Sequence, residues 1–485
     1  VSSVYIEDIQ KINNRKNFEQ EIMRREIEYL NLRLELETDN DKREDVANKL
    51  DIKQGKLRIE QDRIAKEIAE KIKTKWYNEG ERSTKYFLNQ LKSRSKKQKI
   101  TTLIKNGCKI TTPEKIEKIT LDFYKDLYLE KEYNCDLEHE ETLINLIDEL
   151  ESDQILEIEN QLDIKELLST LKSTKDSAPG PDGITYSFLK FLWPIYGKIL
   201  IESWNYSLLT GKLPPSHNTS TLTLLPKEGK NLEELKNWKP ITLSNCDLKL
   251  ITKTLSKRMI KSLDNVIKDH QSAYMENRTI SDNLRIINLS LREAELTRQP
   301  IYIIALDAKK AFDSVRHSFI YKILRRLGLH GFSETFKMLY HEQNIRISLN
   351  GKLTEQYFPT RGVKQGDALS CIIFNLVIEI ILRSINLDES ISKQKIGKLV
   401  NNLPTAVGYA DDITCIVNNT DDIQKIFNHY EKFTKVSGLE LNADKTEILS
   451  NKHGESCNIE YYICHLNWNV KGTKINKKRP GLAHF

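Results

Sequence analysis

Two adjacent aspartates constrain this chain more than any other feature of its sequence. Asp411 and Asp412 lie in the stretch 406–417, between apolar segments rich in β-favouring residues, and this pattern predicts a strand, a tight turn and a second strand. Neighbouring side chains on a straight strand point to opposite faces, so only a turn lets both carboxylates approach one centre. Carboxylates that close repel each other unless a cation intervenes, and oxygen ligands favour Mg²⁺. A solvated hairpin tip, where Asp is common, is the alternative interpretation.

A third candidate acid follows an apolar segment. Residues 301–306 predict a buried strand, and Asp307 comes directly after it. A carboxylate at the end of a buried strand is costly unless it is solvated, paired or bound to a metal. Asp307 is therefore a candidate metal ligand, whereas Asp313 is assigned to the following turn or to a helix cap.

Two lysines are placed to bind phosphate. Residues 221–227 predict a strand that closes in Lys227, and residues 238–243 predict another that contains Lys239. If the strands are neighbours, both lysines can grip a triphosphate; as isolated residues at strand ends they would carry no function. The Pro/Gly-rich loop 177–183 brings backbone N–H groups to a ligand or serves as a connector.

A Gln-Gly pair precedes the most apolar helix. Gln365 and Gly366 place an amide beside a residue without a side chain, where a base pair could approach closely. Asp367 is a predicted N-cap for a helix from about residue 368 to residue 382. A helix over 420–436 and a strand over 447–449 are predicted after the aspartate turn.

Basic and aromatic residues cluster in one stretch of the chain. The chain has 485 residues, which predicts two or three folding units, and its net charge of +6 is too small to indicate nucleic-acid binding by itself. Residues 76–99 interleave aromatic and basic side chains, a combination that suits a phosphate backbone with exposed bases. An amphipathic surface with long lysine side chains would look similar.

No membrane span, disulfide framework or signal peptide is predicted. The longest apolar run, 371–382, is short and contains Asn375 and Glu379. The seven cysteines are scattered and odd in number, which indicates a reduced intracellular compartment. Residues 18–75 are highly charged and predict a helical linker with a break near 38–41. The N-terminus lacks Met, so we expect a piece of a longer reading frame.

Taken in order, these stretches resemble the reverse transcriptase of non-LTR (LINE-type) retrotransposons. The resemblance covers roughly residues 76–449. It is carried by the following stretches: Ala-Pro-Gly-Pro-Asp-Gly at 178–183, Leu-Pro-Lys at 225–227, Trp-Lys-Pro-Ile at 238–241, Leu-Asp-Ala-Lys-Lys-Ala-Phe-Asp at 306–313, Gln-Gly at 365–366, Tyr-Ala-Asp-Asp at 409–412 and the segment 437–446.

The resemblance implies an α/β fold, the palm and fingers of a right-hand polymerase preceded by a helical N-terminal extension. The implied division is a charged helical linker over 1–75, a basic helical extension over 76–175, fingers over 176–300, palm over 301–450 and a truncated tail over 451–485.

The same resemblance implies roles for individual residues. Asp307 and Asp411 would bind two Mg²⁺ ions, or Mn²⁺, with Asp412 assisting. Nucleotide contacts would come from Lys227, Lys239, Phe312, Gln365, Gly366 and Lys445: the first two at the phosphates, Phe312 beneath the sugar, the Gln-Gly pair at the nascent base pair, and Lys445 as a proton donor to pyrophosphate. Nucleic-acid contacts are assigned to Arg82, Lys85, Lys96, Lys97, Lys99 and Arg361.

The implied partners are a template RNA, a primer or target DNA and dNTPs, with no membrane. The family resemblance implies a nuclear location, and the oligomeric state is left open. Lys239 stands where the family commonly has Arg, and Asp367-Ala368 where it often has Cys-Pro. The family resemblance predicts a primer grip, a thumb and often a Cys/His module after residue 449, and an endonuclease upstream; the tail 451–485 is too short for the former, and we expect no endonuclease within this sequence.

Three alternatives remain at this point. A group II intron-type reverse transcriptase would share the palm motifs. A catalytically dead remnant would only bind RNA, through residues 76–99 and the fingers. RNA-templated RNA synthesis is disfavoured by Phe312 at the position that selects the sugar.

Overall fold

The chain divides into two compact units, residues 1–96 and 97–485. The structure is a computed structural model that describes residues 26–27, 30–31, 34, 42–56, 99–131, 137–393 and 403–451. In the first unit, residues 42–56 are helical and Lys53 forms an ion pair with Glu26. The predicted break at 38–41 and most of the basic cluster at 76–99 lie outside the described residues.

The described part of the second unit mixes helices with short strands. The helices are α1 Pro113–Leu127, α2 Leu137–Ile144, α3 Ser152–Glu159, α4 Ile164–Ser173, α5 Tyr186–Thr210, α6 Cys246–Ser262, α7 Ile280–Thr297, α8 Ala311–Ser314, α9 His317–Arg326, α10 His330–Tyr340, α11 Ala368–Asn386 and α12 Thr420–Ser437. The strands are β1 Leu103–Lys105, β2 Cys108–Ile110, β3 Thr219–Pro226, β4 Trp238–Leu243, β5 Tyr302–Leu306, β6 Asn344–Leu349, β7 Lys352–Tyr357, β8 Ala406–Tyr409, β9 Asp412–Val417 and β10 Glu447–Ser450.

One four-stranded sheet, which we call the carboxylate sheet, has the order β10-β5-β9-β8 with antiparallel neighbours. Its β-branched and apolar residues suit a half-buried pleated surface. The face that packs on α11 and α12 contributes to the main hydrophobic core, together with α6, α9 and α10. The sheet therefore rests on a rigid helical layer.

A second four-stranded sheet, which we call the lysine sheet, has the order β4-β3-β6-β7. It encloses a smaller core with β1 and α1, centred on the fully buried Trp238. β3 pairs in parallel with β6, although β6 and β7 follow β5 of the other sheet in the chain. The predicted boundary between residues 300 and 301 therefore does not separate the two sheets, because the chain returns to the lysine sheet.

The segment 361–367 connects the two sheets. Gly362 N–H donates to Val315 O at 2.7 Å, and Val363 N–H donates to Phe312 O at 2.7 Å. On its other side, the Gln365 carbonyl accepts from Thr242 N–H of β4 at 3.0 Å. This segment thus ties α8, which follows the carboxylate sheet, to the lysine sheet.

Helix α11 crosses the centre of the main core. Asp367 caps it as predicted, since its carboxylate accepts from Leu369 N–H at 3.3 Å. The helix is long and apolar enough to cross a membrane, but 89% of its most apolar window is buried inside the protein. It also carries the buried ion pair of Arg383 with Glu379. These features are those of a core helix.

Candidate active site

The two adjacent aspartates occupy a two-residue hairpin turn, as predicted. Tyr409 of β8 pairs with Asp412 of β9, so Ala410 and Asp411 form the loop. Ala410 has φ 56°, the left-handed conformation that a two-residue hairpin loop requires. Asp411 is half-buried and Asp412 is exposed. The sharp turn allows the two carboxylates to face one region.

Asp307 reaches the same region from the central strand. It follows β5, whose last residue, Leu306, pairs with Ile413, so Asp307 lies across from Asp412. Asn442 Nδ2 donates to Asp307 Oδ2 at 2.7 Å, and Lys445 Nζ donates to Oδ1 at 3.2 Å. Asp307 is thus paired and partly solvated, two of the conditions under which a carboxylate at this position is tolerated.

The three carboxylates affect each other electrostatically. Burial raises the pKa of Asp411, and the negative charge of Asp307 raises it further, while Lys445 and Lys239 oppose the rise. Partial desolvation at the turn raises the pKa of the exposed Asp412, together with the charges of Asp411 and Asp307. The three carboxylates are therefore close enough for their negative charges to repel one another.

The chemistry of these donors suits a divalent cation. Three carboxylates supply the hard oxygen ligands that Mg²⁺ prefers, and a bound cation would relieve the repulsion that raises the pKa of Asp411 and Asp412. Within the ranges that the structure describes, no three acidic, histidine or cysteine side chains converge into a preformed metal site. Lys445 instead provides a positive charge at Asp307.

The charges of the predicted phosphate-binding lysines act on the carboxylates. Lys239 lies on β4 opposite Leu225, and Lys227 follows β3 directly. Burial lowers the pKa of Lys227, with the charge of Lys445 adding to it, while Asp313 and Asp307 oppose the change. The charge of Lys239 acts on Asp411. Cationic side chains of the lysine sheet and acidic side chains of the carboxylate sheet therefore line one region.

The remaining predicted nucleotide contacts lie where the two sheets meet. The half-buried Phe312 ring stacks on Phe374 of α11, with 4.5 Å between centroids and 16° between planes. Gln365 Oε1 is buried and has no partner among the described residues. Gly366 is exposed and has φ 111°, a conformation that side-chain-bearing residues rarely adopt. All three predicted positions are thus present in one place.

The prediction that Arg361 contacts nucleic acid is wrong. Arg361 is only 4% exposed, and its Nε donates to Leu127 O at the end of α1 at 2.9 Å. Its backbone N–H also donates to Tyr128 O at 3.2 Å. The guanidinium anchors α1 to the segment 361–367 and is not accessible to a phosphate. Lys99 is exposed, and the other four predicted nucleic-acid contacts, Arg82, Lys85, Lys96 and Lys97, lie outside the described residues.

A buried acid that sequence reasoning placed in a turn or cap lies inside α8. Asp313 is 3% exposed and accepts a hydrogen bond from Tyr128 Oη at 2.7 Å. Burial raises the pKa of Asp313 to about 6, while the Tyr128 hydrogen bond and the charges of Lys310 and Lys227 favour the ionised form. The Lys310 Nζ is buried without a hydrogen-bond partner among the described residues. Its backbone has φ 48°. Asp313 thus links α1, α8 and the cationic side chains.

Asp313→Asn is expected to change how stability depends on pH. The folded pKa of about 6 exceeds the unfolded value of about 3.9, so the folded state binds this proton more tightly. The protonated Asp313 contributes its full stabilisation below about pH 4, and this contribution is lost as the pH rises through about 6. In urea unfolding between about pH 4 and pH 6, the free energy of unfolding of wild type should fall by roughly 2–3 kcal/mol relative to that of Asp313→Asn. The exposed Asp153→Asn serves as the control, and a pH-independent difference for Asp313→Asn would contradict the expectation.

Sequence reasoning missed three side chains that support the site. Asn442 holds Asp307, Tyr128 holds Asp313, and Gln271 contacts the aspartate turn. Asn442 lies within the segment 437–446, so that motif could have indicated it. Tyr128 and Gln271 carry no local signal, because their partners are 185 and 139 residues away in the chain.

Comparison with known proteins decides the family. The model of the family "Reverse transcriptase (RNA-dependent DNA polymerase)" matches residues 225–470, about half of the chain. The chain belongs to the reverse transcriptase family. The matched range contains the carboxylates and lysines of the candidate site: Asp307, Asp411, Asp412, Lys227, Lys239 and Lys445. Reverse transcriptases generally depend on a divalent metal ion and act on nucleic acid with nucleotides as substrates.

Relatives with curated names come from retrotransposable elements. The "Transposon TX1 uncharacterized 149 kDa protein" of Xenopus laevis is 28% identical over 76% of this chain and 28% of that protein. The Pol polyprotein of type-2 retrotransposable element R2DM from Drosophila melanogaster is 31% identical over 56% of this chain and 24% of that protein. The resemblance to reverse transcriptases of non-LTR retrotransposons is confirmed. The chain spans about a quarter of the length of these two relatives.

The predicted fold class, an α/β right-hand polymerase with palm and fingers, is confirmed by the family. A solved structure of apo telomerase from Candida tropicalis, truncated from its C-terminal domain, matches with a TM-score of 0.37 at 15% identity. That match covers 54% of this chain and 56% of the telomerase chain. The division of the chain into the ranges 76–175, 176–300 and 301–450 stays a prediction.

Proposed function

We propose that this chain synthesises DNA on an RNA template, from a primed 3′-end, as the reverse transcriptase of a non-LTR retrotransposon. One observation carries the proposal: strand pairing brings Asp307 across from Asp412, next to Asp411 in the turn, and the charges of Lys239 and Lys227 act on these carboxylates. Nucleotidyl transfer needs acidic groups at the reacting phosphate and cationic groups at the leaving phosphates. The arrangement supplies both within one region.

In the proposed reaction, the primer 3′-hydroxyl gives up its proton to solvent and attacks the α-phosphorus of a dNTP. The new P–O bond forms as the bond to the β-phosphate breaks, and pyrophosphate leaves. Two Mg²⁺ ions held by Asp307 and Asp411, with Asp412 assisting, would supply Lewis-acid stabilisation when bound. Lys227 and Lys239 hold the phosphates in line, so the protein contributes mainly positioning and electrostatics.

The other side chains define which nucleotide is accepted. Phe312 lies beneath the sugar, and its stacking on Phe374 fixes the ring in place. Gln365 offers to the nascent pair or template a buried Oε1 that has no hydrogen-bond partner in the described part of the chain, beside the exposed backbone of Gly366. Lys445, which the structure pairs with Asp307, is proposed to donate a proton to the leaving pyrophosphate.

Primer extension tests the proposal. The purified chain is incubated with an RNA template, a DNA primer, Mg²⁺ and dNTPs, next to the variant Asp411→Asn. Extension by wild type alone supports the proposed function. RNA binding without extension, in conditions where the protein is folded, supports a remnant that only binds RNA. Equal extension with rNTPs supports RNA synthesis.

Phe312→Val is expected to relax discrimination against ribonucleotides. The smaller side chain leaves room for a 2′-hydroxyl, and discrimination by steric exclusion of this size is worth roughly tenfold or more in kcat/KM. The measurement is the ratio of kcat/KM for dGTP and GTP in single-nucleotide extension. The matched control is Phe191→Val on α5, where the ring is 50% exposed. An unchanged ratio for Phe312→Val would remove this residue from sugar selection.

A further inference from the structure

The tip of the aspartate turn holds a residue in an unfavourable backbone conformation. Ala410 has φ 56°, a conformation that is energetically unfavourable for any L-residue with a Cβ. Contacts with the surrounding residues have to offset this energy. Hairpin loops of this type usually place Gly or Asn at such a position. Because this chain has Ala before Asp411, a specific contact is needed to hold that residue in the left-handed conformation.

Gln271 makes that contact. The Ala410 N–H donates to Gln271 Oε1 at 3.2 Å, and Gln271 Nε2 donates to the Ala410 carbonyl at 3.4 Å. Gln271 is 0% exposed, so water does not compete for either bond. Its Oε1 also accepts from Ala273 N–H at 3.2 Å, which fixes the orientation of the amide. Both polar groups of Ala410 are thus held by one side chain.

The backbone around Gln271 is fixed to the same strand. Gly408 N–H donates to His270 O at 2.7 Å, and Ser272 N–H donates to Gly408 O at 3.1 Å. Asn283 Nδ2 donates to the same Gly408 carbonyl at 2.8 Å. A Cβ on Gly408 would lie 3.0 Å from Gln271 Nε2, so glycine leaves the space that the amide occupies. The segment around Gln271 therefore acts as a rigid support for β8 and its turn.

We propose that Gln271 is a positioning residue for the carboxylates: its amide holds Ala410 in the left-handed conformation and thereby sets where Asp411 and Asp412 point. The inference rests on the proposed function, because it assigns these carboxylates to metal binding and phosphoryl transfer. Gln271 touches no reacting atom in this role. It acts through the backbone of the turn.

The chain offers a matched control at the other end of β8. Asn386 Nδ2 donates to the Ala406 carbonyl at 2.9 Å, and the Ala406 N–H donates to Asn386 Oδ1 at 2.9 Å. Asn386 therefore makes the same pair of bonds to the first residue of β8, four residues before Ala410 in the turn. Gln271→Met removes the two hydrogen bonds to Ala410 and the one from Ala273 N–H, whereas Asn386→Leu removes the two to Ala406. Each variant keeps a side chain of similar size.

The experiment compares both variants with wild type in single-nucleotide extension and in Mn²⁺ binding followed by electron paramagnetic resonance. For Gln271→Met, kcat should fall roughly 10- to 100-fold, since displacing a reacting group by about 1 Å can cost 10²-fold. KM for the dNTP and Kd for template–primer should stay within about twofold. Mn²⁺ should bind more weakly to this variant, whereas Asn386→Leu should match wild type in kcat and Mn²⁺ affinity.

Each outcome decides the proposal. A wild-type kcat and Mn²⁺ affinity for Gln271→Met would overturn it, and so would equal losses in the two variants, which would indicate general damage to β8. If wild type itself extends no primer, the proposed function fails, and Mn²⁺ affinity alone still tests the position of the carboxylates. If Gln271→Met cannot be purified, Gln271→Asn keeps a polar side chain but withdraws the amide from Ala410, and it should show the same selective losses.

Discussion

Asp411→Asn is expected to lower kcat for primer extension by at least about 10³-fold, the largest catalytic effect in this chain. Asparagine has the same shape but no charge, so the variant loses a metal ligand without creating a cavity. It also removes one of the like charges that act between Asp307, Asp411 and Asp412. Folding stability should therefore equal or exceed that of wild type.

Single-turnover extension on an RNA template measures this effect, with RNA binding measured in parallel. Asp421→Asn is the control, because Asp421 is an exposed carboxylate in the first turn of α12 and lies outside the site. RNA affinity should be unchanged in both variants. A kcat for Asp411→Asn within about tenfold of wild type would exclude a direct role of this carboxylate in the chemical step.

Arg383→Met is expected to destabilise the fold by roughly 3–5 kcal/mol, because it leaves a buried charge without its partner. Glu379 is 0% exposed, and its Oε1 accepts from Arg383 Nε at 2.9 Å. The Arg383 guanidinium also donates to Leu146 O at 2.6 Å and to Asp148 Oδ2 at 2.9 Å. Methionine fills similar volume but satisfies none of these acceptors.

Denaturant unfolding with fluorescence detection measures this loss, and a double variant separates its causes. Glu379→Leu with Arg383→Met removes both charges, so it should recover part of the stability that Arg383→Met loses. The Arg258–Glu166 pair supplies the control: Arg258→Met breaks a pair in which Glu166 is 30% exposed, and it should cost less. A loss under about 1 kcal/mol for Arg383→Met would show that Glu379 finds another partner or a proton.

Glu379 also touches the support of the catalytic turn. Its Oε1 lies 3.4 Å from His270 Nε2 and accepts from Lys268 N–H at 3.3 Å. His270 immediately precedes Gln271 in the chain, and Lys268 lies three residues before it. Loss of Arg383 should therefore affect the segment that holds Ala410, and kcat should fall in Arg383→Met at temperatures where the protein is still folded.

Local sequence patterns were sufficient for the elements that form the site. Alternating and apolar residues on both sides of Asp411 and Asp412 predicted the hairpin, and the apolar run before Asp307 predicted its strand. Asp367 as N-cap followed from a short polar side chain before an apolar helix. These predictions succeed because turns, caps and strands depend on residues that are near each other in the chain.

The sequence by itself thus determined the family, the acidic residues and the elements that carry them, because each depends on a contiguous motif. Only the tertiary structure decided which side chains support them. Arg361 was assigned to nucleic-acid contacts, but it is buried and bonded to Leu127 of α1, which is 234 residues away in the chain. Gln271 and Tyr128 gain their roles from partners on distant segments. Burial and hydrogen bonding between distant segments exist only after the chain has folded, so no local pattern contains them.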